Sequence, residues 1–160
     1  MGTLYDLLKA YGESDAYPFH MPGHKRQIKD FGNPFEIDIT EIHGFDNLHH
    51  AEGVLKEAQE RLARLRNSED AWFLVNGSSC GILSAVSACT RVGGKILAAR
   101  NCHKAVYHAI YLRQLRPVYL WPKRETEYGL NGGIDPEDMR KILERDPEIQ
   151  AVIVTSPTYD

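Results

Sequence analysis

A chain of 160 residues and 18.1 kDa has the length of one domain or part of one. It is 42% hydrophobic and 26% charged, ordinary globular material, and a formal charge of −3 gives no reason to expect a nucleic-acid or acidic-membrane partner. No run approaches the ~18 apolar residues of a membrane span, no signal-peptide pattern opens the chain, and Cys80, Cys89 and Cys102 lack C-x-x-C spacing, which points to a cytoplasmic setting without a disulfide framework.

The first predicted element is a short helix from Thr3 to Tyr11. Thr3 can cap it, Leu4, Leu7, Leu8 and Tyr11 share a face, and Gly12 is read as its end. Residues 15–50, rich in Gly, Pro, Asn and His, are expected to be irregular, and a loop of that length covers a site or an interface. Leu55, Ala58, Leu62 and Leu65 recur at helical spacing and predict a helix over 51–67. A short strand is expected over 71–75, running through Asn76-Gly77-Ser78-Ser79 into a helix over 80–90. That helix is apolar nearly all round, with Cys80 and Cys89 read as small buried hydrophobes.

The alternation continues with a strand at 95–99, a helix at 104–115, a strand at 117–121 and a polar excursion over 123–133. A helix over 136–145 is capped by Asp135 ahead of Pro136, and a last strand spans 151–155. Short strands alternating with helices predict an α/β fold of three layers on a mainly parallel sheet. Residues 1–50 are then an amino-terminal helix with a long active-site or interface loop, and 51–160 the first part of an α/β domain. Residues 155–160 lie just past a strand's carboxyl end, where open α/β sheets place ligands. The expectation is a domain truncated there, with a sheet that lacks neighbouring strands.

Four segments could carry chemistry. In Asn76-Gly77-Ser78-Ser79 the glycine permits a tight turn, and two hydroxyls join the free N–H groups of a helix start, which suits a phosphate. A plain helix cap by Ser78 or Ser79 explains the same residues. The segment matches neither the mononucleotide loop nor the dinucleotide fingerprint. Arg100-Asn101-Cys102-His103-Lys104 ends the next strand, which in a doubly wound sheet sets His103 beside that loop. An imidazole there could stack on a flat heteroaromatic ring or move a proton near neutral pH; a structural histidine is the alternative. Cys102 lacks an orienting partner for a nucleophile, and Lys104 suits an ionic or solvated role.

His20-Met21-Pro22-Gly23-His24-Lys25, with His43, His49 and His50, makes a histidine-rich region whose spacing is diagnostic of no metal. A loop closing over a ligand or a partner subunit is the better physical reading. Thr155-Ser156-Pro157-Thr158-Tyr159-Asp160 gathers hydroxyls around a proline and suits ligand contact and turn chemistry equally.

These segments, together with Pro18-Phe19, Asp38-Ile39-Thr40-Glu41-Ile42-His43-Gly44, Asn47-Leu48-His49-His50 and Phe73-Leu74-Val75, resemble the ornithine/lysine/arginine decarboxylase family in order and spacing. The resemblance is to bacterial members with an aspartate-aminotransferase-like core, and it implies a partial pyridoxal-phosphate-dependent transferase-like major domain. It implies pyridoxal 5'-phosphate as cofactor, with Ser78 and Ser79 on its phosphate and His103 stacked on its pyridine ring. The family commonly has Ser-Thr at 78–79, Asp at the place of Asn47 and other small residues at the place of Cys102. His20, His24 and Lys25 would lie near the active-site entrance or the dimer seam. No metal is implied.

In the family the aspartate facing the pyridine nitrogen and the Ser-x-His-Lys segment with the Schiff-base lysine come later in the chain, so no lysine here fits that role. The resemblance therefore implies a full-length parent that decarboxylates a small basic amino acid to the amine and CO2, acting as a cytoplasmic homodimer or larger homo-oligomer. Arginine is favoured ahead of lysine and ornithine, because the layout resembles the shorter, biosynthetic arginine decarboxylases. The 160-residue chain by itself is expected to be inactive. The alternative is a noncatalytic half-domain that binds a phosphate ligand or a partner.

Overall fold

The structure is a computed structural model that describes residues 3–20, 23–28, 32–124 and 127–157. The chain divides into two compact units, 1–71 and 72–160, each described by itself.

In the first unit, α1 (Leu4–Glu13) starts on a capping box. The Thr3 hydroxyl accepts from the Asp6 N–H at 3.3 Å, and the Asp6 carboxylate accepts from the Thr3 N–H at 2.8 Å. The helix continues through Gly12, which therefore does not end it. A glycine in the last turn costs only about 1 kcal/mol against alanine, and the Ser14 hydroxyl closes the end on the Tyr11 carbonyl at 2.7 Å. Among its described residues the long segment after α1 is irregular, apart from two short 3-10 turns, Pro34–Glu36 and Leu48–His50.

The second helix, α2 (Val54–Arg66), begins three residues later than its pattern predicts. The cause is Asp46, whose carboxylate accepts the N–H groups of Asn47 (2.9 Å), Glu52 (3.0 Å), Gly53 (2.8 Å) and Leu55 (3.1 Å). Residues 51–53 are thereby drawn into a turn around the carboxylate, and Asp46 does the work of a cap from outside the helix. The other end closes on Asn67 in the left-handed conformation (φ 51°), with the Ser68 N–H reaching back to Ala63 at 3.0 Å.

The second unit holds α3 (Gly77–Cys89), β1 (Lys95–Ala99), α4 (Lys104–Leu112), β2 (Arg116–Leu120), α5 (Pro136–Arg145) and β3 (Ile149–Ile153). The strands form a three-stranded parallel sheet in the order β2-β1-β3. Leu97 of the central strand lies opposite Val118 on one side and Val152 on the other. The step β1-α4-β2 goes one way and β2-α5-β3 returns past β1. Right-handed crossovers then set α4 and α5 on opposite faces, which gives the three layers.

Alternation along β1 fills both faces. Ile96 and Ala98 join Val86, Val106, Ala109 and Ile110 of α3 and α4 in one core. Leu97 and Ala99 point the other way and are equally inaccessible. Lys95 ties the start of β1 to the α5–β3 turn through Asp146 (2.7 Å) and Glu148 (2.9 Å). Two further expectations need correction. Residues 71–75 form no strand: no described strand pairs with them, and Trp72 and Val75 stand 71% and 69% exposed. Cys89 is exposed rather than buried, because α3 turns Ile82, Leu83 and Val86 inward and leaves its last position outside.

The Asp46 turn is sensitive to pH. Backbone donors, Glu52 first and then Asn47, Gly53 and Leu55, hold the carboxyl far below the usual carboxylate range against an opposing effect of burial. Its stabilising effect is therefore present above the unfolded value of about 3.9 and is lost as pH falls through the folded value. Asp46→Asn should raise the hydrogen-exchange rates of the Glu52, Gly53 and Leu55 amides at neutral pH. Unchanged rates would contradict Asp46 as the anchor of α2.

Candidate active site

Parallel strands that start together also end together, so the segments leaving β1 and β3 emerge at one end of the sheet. The start of α3 lies there too. Gly77 adopts φ 69°, a conformation open to glycine at little cost, and it turns the chain sharply into the helix. Ser78 and Ser79 then fall inside the first turn, behind Asn76 at the cap position, so neither serine is the cap. Asn76 makes no side-chain cap hydrogen bond, whereas Thr3, His103 and Asp135 each cap their helices. The first N–H groups of α3 therefore lack the side-chain acceptor that the other helix starts have, and both serine hydroxyls are exposed beside them.

The passage after β1 brings His103 to the same end. His103 is the N-cap of α4, and its Nδ1 accepts the Ala105 N–H at 3.2 Å. A nitrogen that accepts has no proton, so the neutral ring carries its hydrogen on Nε2, across the ring from the helix. Cys102 turns away: it is buried in the core with Val86 and Val106, while His103 and Lys104 are exposed.

Ser78, Ser79 and His103 line one cleft of about 420 Å³. Thr155, Ser156 and Pro157 add a second hydroxyl-bearing wall, with a cis peptide at Ser156–Pro157. Ile82, Val106 and Ile153 line the cleft as well. The cleft thus combines hydroxyls, an exposed helix start and an imidazole with an apolar lining, a composition suited to a ligand that is anionic at one end and flat and apolar at the other. Thr158, Tyr159 and Asp160 lie outside the described residues. A larger hollow of about 660 Å³ opens beside Lys95, Arg116 and Gln150, but the Lys95 ammonium in it is already paired with two carboxylates.

Sequence reasoning singled out the polar residues of the cleft and missed its apolar lining. The signal was present in the helical spacing. Ile82 stands four residues after Ser78, and Val106 three after His103, so each shares a helix face with a polar neighbour.

The histidine-rich segment belongs to the first unit. The His20 Nε2 and the Tyr11 hydroxyl are 2.7 Å apart, and Lys25 Nζ donates to the Phe19 carbonyl at 3.2 Å. His24 Nδ1 accepts the Arg26 N–H at 3.1 Å, and the Arg26 guanidinium lies 4.3 Å over the Tyr11 ring. Asn47 accepts the His49 N–H at 2.8 Å and so caps its own short turn. Met21 and Pro22 lie outside the described residues. Among the described residues no three His, Cys, Asp or Glu side chains gather as a metal site, and no helix is long and apolar enough to cross a membrane.

Comparison with known proteins gives a consistent set of relatives. The family described as "Orn/Lys/Arg decarboxylase, major domain" matches residues 2–160. An uncharacterized protein of Bacillus subtilis (strain 168), YaaO, is 36% identical over 98% of this chain and 34% of its own length. The arginine decarboxylase of the same organism is 32% identical over 98% of this chain and 34% of its own length. The structure of the Escherichia coli constitutive lysine decarboxylase superposes with a TM-score of 0.62 at 27% identity, covering 98% of this chain and 25% of that one. The chain thus spans about a third of the length of the curated relatives.

The cap geometry of His103 is directly measurable. In nitrogen-15 spectra of the histidine rings at a pH where His103 is neutral, Nδ1 should be unprotonated and Nε2 protonated. A proton on Nδ1 would contradict the hydrogen bond from Ala105.

Proposed function

The chain belongs to the Orn/Lys/Arg decarboxylase family, within its major domain, and from that premise we propose that its cleft holds pyridoxal 5'-phosphate for the decarboxylation of a basic amino acid. The observation that carries the proposal is the lining of one cleft by Ser78, Ser79 and His103. Arginine is the favoured substrate, since the relative named as an arginine decarboxylase is more similar than the lysine decarboxylase of known structure. The working protein on this reading is a cytoplasmic homo-oligomer.

The residues present fit the cofactor at both ends. A phosphate dianion needs several donors, and the start of α3 offers two hydroxyls and N–H groups left without a side-chain acceptor. The helix dipole adds a partial charge of roughly +0.5 at that end. A pyridine ring needs a flat neighbour and an apolar surround, which the His103 imidazole and Ile82, Val106 and Ile153 supply.

When bound, pyridoxal phosphate supplies an electron sink for the charge left on the substrate's α-carbon as CO2 departs. The net change replaces the carboxylate with a proton and yields the amine. The chain's own residues act before that step. Ser78 and Ser79 hold the phosphate end, and His103 is held by its helix so that its ring direction is set before substrate arrives. The apolar lining keeps water from the ring's surface and so strengthens every polar contact at the rim.

The test is a cofactor titration together with CO2 release. Replacing Ser78 and Ser79 together by alanine removes two hydrogen bonds to a charged group, each worth about 1.5–3 kcal/mol. The dissociation constant for pyridoxal phosphate should rise by a factor of about 100 or more. In the full-length parent, His103→Ala should slow CO2 release from arginine with a smaller effect on cofactor affinity. Unaltered affinity in the serine variant would remove those residues from the phosphate site. Tight cofactor binding by the full-length parent with no CO2 release from arginine, lysine or ornithine would favour a noncatalytic binding domain.

A further inference from the structure

Arg100 heads the passage from β1 to His103, and its guanidinium stands among three aromatic rings. The guanidinium carbon lies 5.1 Å from the ring centre of Tyr107, 5.5 Å from that of Tyr119 and 5.8 Å from that of Trp121. Nη1 donates to the Tyr107 hydroxyl. That hydroxyl donates in turn to the Arg100 carbonyl at 2.7 Å, and the Arg100 N–H donates to the Leu120 carbonyl at 2.8 Å.

The passage is therefore fastened at two places. The Leu120 carbonyl and the rings of Tyr119 and Trp121 tie it to the end of β2, and Tyr107 ties it to α4. Tyr107 stands four residues after His103, one turn further along the helix and on the same face. Burial pushes the Tyr107 hydroxyl above its ordinary pKa, against the opposing effect of the Arg100 guanidinium, and a phenol is in any case protonated at neutral pH and able to donate. Between these fastenings Cys102 is set in the core, with its N–H donating to the Ala99 carbonyl at 3.2 Å, while the buried Oδ1 of Asn101 has no hydrogen-bond partner among the described residues.

We propose that Arg100 and Tyr107 form a clasp that sets the direction of the His103 imidazole, as positioning residues that act on the bound cofactor only through that ring. The inference rests on the cleft being the cofactor site. Its chemistry explains the residue types. A planar guanidinium lies against aromatic faces while donating in its own plane, which a lysine ammonium cannot reproduce. The phenol both accepts from the guanidinium and donates to the carbonyl, and phenylalanine can do neither.

The test is a set of cycles in the full-length parent, with Arg100→Lys and Tyr107→Phe made alone and in a His103→Ala background. The readouts are kcat, KM, cofactor affinity and the visible circular dichroism of bound pyridoxal phosphate, which reports how asymmetrically the ring is held. Each clasp variant alone should lower kcat by about 10-fold and weaken the dichroic band, with KM and cofactor affinity changed less than about 3-fold. In the His103→Ala background the same changes should have almost no further effect, because residues that act through one group are not additive. Equal losses in both backgrounds would overturn the clasp as a positioning device and leave it a contribution to stability. A band that responds to His103→Ala but to neither clasp variant would overturn this inference and spare the cleft. A band indifferent to His103→Ala would remove both.

Discussion

The parallel pairing of β1 between β2 and β3 is the constraint on which the rest of the second unit depends. Because the strands run the same way, each returns through a helix, and the segments that leave them emerge at the same end. That places His103 after β1 and residues 154–157 after β3 around one hollow, with the start of α3 beside them. An antiparallel arrangement of the same strands would send these segments to opposite ends. The site is set by sheet direction before any side chain is considered.

Two helix starts then divide the labour. The start of α4 is closed on itself: His103 uses Nδ1 to cap it, and that bond fixes which ring nitrogen carries the proton. The start of α3 is left open, with Asn76 making no capping bond and two serine hydroxyls exposed beside the free N–H groups. An open helix start is a standing electrostatic invitation to an anion, and a capped one holds a rigid ring. The proposed cofactor has both an anionic group and a flat ring. The Arg100–Tyr107 pair adds a third level, since it fastens the passage that decides where the capped ring stands.

Much of this was legible in the sequence where the cause is local. The bounds of α5 are set by Asp135 and Pro136 at its start, and those of β1 by five residues between a glycine turn and Arg100. The late start of α2 was not legible, because Asp46 collects N–H groups as far as nine residues away. The absence of a strand at 71–75 was not legible either: an apolar run shows what a strand would contain, and pairing depends on neighbours elsewhere. The mixed exposure of α3 escaped because a helix apolar all round shows no preferred face. In the site, Ser78, Ser79 and His103 could be named from turn chemistry and strand ends. The partners of Arg100 could not, because Tyr107, Tyr119 and Trp121 stand on or just beyond separate elements that only the folded sheet brings together.

The most direct measurement is a crystal structure of the protein grown with pyridoxal phosphate. The phosphate should lie within hydrogen-bond distance of Ser78 and Ser79 at the start of α3, with the pyridine ring lying against the His103 imidazole. A phosphate seated elsewhere, or a ring that leaves His103 without contact, would contradict this placement.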